Sequence, residues 1–141
     1  MDHVVYVNAK TNELEKLLER KKTMIIRGAA GRKLPHGRVN KGDILYFIRN
    51  NAEGLIRACG IVTEVLFSEK LNPQVSHKLV DENQDRLQLE PAEVQRWAGK
   101  RFLVLVSVGD VTEVTPFQID KSEFGNMDDW LLVDDIDRYR I

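Results

Sequence analysis

The sequence predicts an α+β fold: a small mixed or antiparallel sheet curled into a β-barrel, with helices at its flanks. Three observations predict it. Most β-rich segments follow one another through short polar turns, which disfavours regular βαβ alternation and a doubly wound sheet. Helical periodicity is confined to a few short stretches. The long β-rich stretch 55–67 contains Gly60, and a glycine inside a strand marks a bulge or bend of the kind that curls sheets.

The elements follow in order. Val4–Val7 is rich in β-formers and reads as a first strand. Asn12 precedes Glu15 in a loose capping-box arrangement, and Leu14, Leu17 and Leu18 keep helical spacing, so a short amphipathic helix is expected from Asn12 to about Lys21. Thr23–Arg27 is a second strand, closed by Gly28, and a loop runs from Ala29 to Lys41. After the Gly42-Asp43 turn, the apolar run Ile44–Ile48 fits a strand buried on both faces. Asn50–Gly54 is a hairpin turn into the strand 55–67. Segment 68–89 is polar but carries spaced leucines and valines, so packed structure with some helix is expected there. Pro91 starts a helix through Trp97, and Gly99 stops it. Arg101–Val108 is a strong strand with Phe102, Val104, Val106 and Val108 on one face, and Val111–Thr115 is expected to pair with it. Trp130–Val133 is a last short strand.

At 141 residues, 43% of them apolar and 30% charged, the chain has the size and composition of one folded domain, and 1–141 is read as such. Its single cysteine, Cys59, excludes an internal disulfide and a Cys-rich zinc site. No run approaches a membrane span, and the start lacks the pattern of a secretory leader, so a cytoplasmic protein without a membrane partner is expected. The net charge is −1, but the charge is unevenly spread: nine basic side chains stand against Glu19 between Lys16 and Lys41, and nine acidic ones against Lys121 between Asp110 and Asp137. Such a segment can make a local positive field on a neutral protein.

The candidate site residues come from the basic segment. Lys22 and Arg27 bracket a strand. Beyond Gly28 and Gly31, the loop carries Arg32, Lys33, His36 and Arg38, side chains suited to phosphate beside a backbone that glycines leave approachable. No Gly-Lys-Ser/Thr ending makes this a Walker loop.

Lys22-Thr23-Met24-Ile25-Ile26-Arg27, the Gly42-Asp43 turn into Ile44–Phe47, and Gly60–Val65 together resemble the ASCH branch of the PUA-like superfamily, over roughly residues 14–67. Its motif is G-x-K-x-x-E-x-R, followed by a Gly-Asp turn into a strand. The late helix and the terminal strands fit the wider PUA-like pattern, which includes EVE domains. Lys22 and Arg27 fall on the motif's Lys and Arg, whereas Arg20 stands at its glycine and Ile25 at its glutamate.

The resemblance implies a small barrel with a cleft beside the first helix, binding RNA, DNA or a modified nucleotide. Lys22, Thr23, Arg27, Arg32, Lys33, His36 and Arg38 would line it, and Tyr46 or Trp130 would stack on a base. Some ASCH proteins are thought to be amidohydrolases. That alternative would use Lys22 and Thr23, with a carboxylate near Lys22 for which Glu64 is a candidate. A third reading, a protein-interaction module, expects the basic loop to pack on the acidic C-terminal segment. No cofactor or metal is expected: His3, His36 and His77 are scattered and read as surface residues, and Asp128-Asp129 and Asp134-Asp135 read as solvated acids. Trp97 and Cys59 read as core.

Lys22 and Arg27 are five residues apart, so on one unbroken strand they would face opposite ways. They can share a cleft only if Lys22 lies in the turn before the strand.

Overall fold

A computed structural model describes residues 1–125 and 127–141. The chain order is β1 (Asp2–Val7), α1 (Glu13–Leu18), β2 (Met24–Ala29), β3 (Ile44–Arg49), β4 (Ile56–Phe67), α2 (Pro73–Glu82), α3 (Gln84–Leu87), α4 (Pro91–Trp97), β5 (Phe102–Phe117) and β6 (Trp130–Asp134), with a 3-10 turn at Ile136–Arg138. Six strands form one sheet in the order β2-β5-β4-β3-β1-β6. β1 and β3 run parallel, and every other neighbouring pair is antiparallel. β2 and β6 end this order without pairing to each other, so the curled sheet is a barrel with an open seam.

Strand alternation sorts the apolar side chains into layers. Val5, Leu45, Phe47, Val104, Val106 and Trp130 fill the barrel, and Leu14 and Leu17 of α1 pack into the same cluster. On the other face of β2 and β5, Met24, Ile26, Leu103 and Leu105 meet Val80, Leu87, Leu89 and Trp97 from the segment carrying the later helices. β5 is therefore buried on both faces from Leu103 to Val106. Fully burying a leucine such as Leu17 contributes roughly 1.5–3 kcal/mol.

Several expectations are corrected. Val111–Thr115 does not pair back on Arg101–Val108. Both belong to β5, a single 16-residue strand that pairs with β4 through register shifts, one of them between Cys59 and Ile61, around Gly60. A bend within β5, with Asp110 at φ 51°, takes the place of the expected turn. As expected, segment 68–89 packs and holds helix, namely α2 and α3, and Asn72 caps α2 by accepting from the Val75 N–H.

α1 ends at Leu18, and Asn12 does not cap it with its side chain: the residue is left-handed, at φ 56°. Instead the Glu13 carboxylate accepts the Asn8 N–H at 2.7 Å. Arg20, at the motif's glycine position, also holds a positive φ of 63°. A glycine there would meet this backbone without strain.

His3 is fully buried rather than superficial. The Trp130 indole N–H donates to its Nδ1 at 3.1 Å, so Nε2 carries the hydrogen and donates to Asp43 at 2.8 Å. Burial lowers the His3 pKa below its ordinary value, against the opposing pull of Asp43. Asp43 also accepts the Asn40 N–H, so the Gly-Asp turn is tied through His3 to the tryptophan at the start of β6. Among the described residues, no helix is long and apolar enough to cross a membrane.

Candidate functional site

The seam between β2 and the β1–β6 edge opens into a cavity of about 590 Å³, within the usual range of small-ligand sites. A second cavity of about 220 Å³ adjoins it. Arg27, Arg96, Trp97 and Asp129 line both, and so form the septum between a larger and a smaller chamber.

Arg27 is the centre of this arrangement. It shares the inward side of β2 with Ile25 and is 8% exposed. Its guanidinium bridges the seam, donating to the Ile26 carbonyl at 2.8 Å and the Tyr6 carbonyl at 2.6 Å. The rings of Trp97 and Trp130 lie 5.8 and 5.6 Å away, within cation–π range. The buried Nε makes no aligned hydrogen bond, although Asp129 Oδ2 stands 3.3 Å away.

Lys22 does lie in the turn before β2, as sharing a site with Arg27 requires. It is 2% exposed and sits behind the wall of the larger chamber rather than on it. Its ammonium donates to the Leu87 carbonyl at 2.5 Å and pairs with Glu13 at 3.3 Å. Burial pulls its pKa below the usual lysine value, opposed by Glu13 and Glu93. Those two carboxylates are themselves buried and line the larger chamber. Glu93 is fixed by accepting the Glu90 N–H at 3.0 Å, and a Lys16–Glu90 pair at 3.1 Å ties α1 to the start of α4.

The acid beside Lys22 is thus Glu13 and not Glu64, which is exposed in a shallow depression with Lys41 and Thr63. Thr23 lines neither chamber. Lys33 and His36 line the smaller one, where the His36 ring meets the Ser68 carbonyl at 3.1 Å and packs on Phe67 and Phe102. Arg32 is 64% exposed near Glu69, and Arg38 is exposed, with neither lining a chamber.

Tyr46 lies away from the cleft, against Phe117 and the cluster of Val4, Ile48 and Leu131. Trp130 is 1% exposed and cannot stack on a ligand. Ile25 is fully buried in the barrel, where a glutamate at the motif position would have no water.

Charge also differs from the expected basic cleft. The larger chamber carries four acidic and four basic side chains, and only the smaller is predominantly basic. Among the described residues, one ion pair, Arg27–Asp129, joins the basic segment to the acidic one. The wholesale packing of the two segments expected for an interaction module is not seen.

Sequence reasoning missed Trp97, Glu13, Glu93, Arg96, Lys100 and Asp129. Trp97 is core, as its helical spacing predicts, and in addition lines both chambers. Glu13 and Glu93 had a visible signal, since each stands in the first turn of a helix beside apolar neighbours. No group of three or more metal-ligating side chains occurs among the described residues.

No protein-family model matches this chain, and no curated protein does. Solved structures do. The ASCH protein from Zymomonas mobilis aligns with a TM-score of 0.65 at 12% identity, over 94% of this chain and 89% of that one. A tyrosine-to-phenylalanine variant of it gives 0.68 at 11% identity, over 93% and 89%. A serine-to-alanine variant gives 0.63 at 8% identity, over 83% and 73%. The fold is therefore the PUA-like fold of ASCH domains.

Proposed function

We propose that this chain binds nucleic acid or a nucleotide in the seam, with Arg27 as the fixed cationic centre of the site. One observation carries the reading. A buried guanidinium is clamped by two carbonyls between two tryptophans, yet keeps an Nε without an aligned partner at the junction of two cavities. Leaving such a donor unmade costs roughly 1–3 kcal/mol, which a ligand acceptor would return. Exposed Lys33, Arg96 and Lys100 add contacts of the kind that give phosphate affinity without sequence preference. RNA, DNA and modified nucleotides all present this chemistry, and the PUA-like fold adds weight to the nucleic-acid choice. The cytoplasm is the compartment that fits the free Cys59.

The hydrolase reading has less support. Lys22 is engaged by Glu13 and a carbonyl behind the wall, and Thr23 does not reach the cleft.

The test is binding of fluorescent RNA and DNA oligonucleotides at about 50 and 200 mM salt, a range over which phosphate contacts weaken steeply. Arg27→Gln removes the central charge, and Arg96→Ala removes an exposed one that lies over the Trp97 ring. Salt-sensitive binding by the parent, weakened at least about tenfold in both variants, is the expected result. No binding at low salt, or binding untouched by either variant, would sink the proposal.

A further inference from the structure

From the division of the cleft we infer a ligand class: a nucleoside monophosphate, or the phosphorylated terminal nucleotide of a strand, with base and sugar in the larger chamber and phosphate in the smaller. This rests on the nucleotide-binding reading above and narrows it.

The chambers differ in net charge. The larger one is balanced and presents buried carboxylates of Glu13 and Glu93 beside the amides of Asn8 and Asn50. Balanced charge with fixed acceptors suits a neutral polar group that offers N–H and O–H donors, as a base and ribose do. The smaller chamber sets Arg27, Lys33, Arg96 and Lys100 against a single carboxylate, Asp129. Four cations against one acid suit a dianion. A phosphate monoester carries nearly two charges at neutral pH, a chain-internal diester one. The loop wall is open at Gly31, where a side chain would meet nothing within 4 Å, so a phosphate can approach the backbone.

The septum shows where the anion goes. Asp129 Oδ2 lies 3.3 Å from Arg27 Nε and 3.7 Å from Arg96, between the two guanidinium groups that both chambers share. At 36% exposure it is a surface carboxylate in the place a phosphate oxygen would take. Asp129 is thus an internal competitor, and a ligand anion that displaces it would meet the Arg27 Nε with which it now pairs.

Calorimetric titration with the four ribonucleoside 5′-monophosphates, their nucleosides and inorganic phosphate tests this. The parent protein is expected to bind at least one monophosphate about tenfold or more tightly than its nucleoside, the scale of a few charge-assisted hydrogen bonds. The exposed double variant Lys33→Ala/Lys100→Ala should shrink that ratio to about threefold or less while leaving nucleoside binding unchanged. Asp129→Asn should tighten monophosphate binding by about threefold.

Equal affinity for nucleoside and monophosphate, no affinity for either, or a double variant that binds as the parent does would overturn the inference. Weaker binding by Asp129→Asn would overturn the competitor role. If oligonucleotides bind and monophosphates do not, the inference falls and the broader reading stands. If oligonucleotides also fail, both fall.

Discussion

The two chambers differ in how their charges are held. In the larger one, the charges nearest the core are buried and paired: Glu13 with Lys22, Glu93 with its own helix N-terminus, Arg27 with two carbonyls. In the smaller one, Lys33 and Lys100 are exposed and form no ion pair among the described residues. Buried charges are costly to leave alone, so they fix the shape of the wall and are coupled to folding. Exposed ones cost almost nothing to the fold and are free to meet a ligand. Arg27 belongs to both sets; beyond it, the exposed lysines of the smaller chamber can bind while contributing little to the fold.

The largest effect should come from breaking the buried pair. Lys22→Ala strands Glu13 and is expected to cost about 3–5 kcal/mol in urea unfolding. Adding Glu13→Gln, which keeps an acceptor for the Asn8 N–H, should recover part of that loss. If Lys22→Ala unfolds like the parent, the larger chamber is not built on a buried pair.

Acid should come next. His3 is held neutral under Arg27's tryptophan by burial, so its folded pKa lies below the ordinary 6.5. Below that pH the unfolded chain binds a proton that the folded chain refuses. Stability should then fall on acidification from about pH 6.5, by at most about 1.4 kcal/mol per pH unit for one proton. His3→Gln, which does not titrate, should flatten that slope in thermal melts recorded from pH 7 to 5. An unchanged slope would remove His3 from the account.

Smaller effects separate backbone from surface. Arg20→Gly relieves a left-handed residue on an exposed turn and should raise stability by about 0.5 kcal/mol, the strain removed less the added freedom of the unfolded chain. Lys33→Ala should change stability by less than about 0.5 kcal/mol while lowering the salt dependence of ligand binding. A large loss of stability there would blur the distinction between the chambers.

The fold was legible in the sequence because its strands are strongly patterned and joined by short turns. Lys22 and Arg27 were found because they bracket a strand in the basic segment and fall on the Lys and Arg of the ASCH motif. What sequence could not show was three-dimensional closure. The seam exists because β2 and β6, more than a hundred residues apart, fail to pair. Trp97 packs on β2 as a core tryptophan and Asp129 comes from the segment before β6, and no local pattern shows that both meet Arg27. Tyr46 and Trp130 have the right chemistry for stacking, but strand parity turns the one away and burial covers the other. Glu64 has the right charge on the wrong part of β4.

The most direct test of the central claim is a titration of isotope-labelled protein with a short RNA oligonucleotide, following backbone amides and the two indole N–H signals. The account predicts that the perturbed resonances cluster on Arg27, Gly28, the Trp97 indole, Lys100 and Asp129, around the seam. Perturbations gathered on Lys41, Thr63 and Glu64, or scattered over the exposed loop around Arg38, would contradict it.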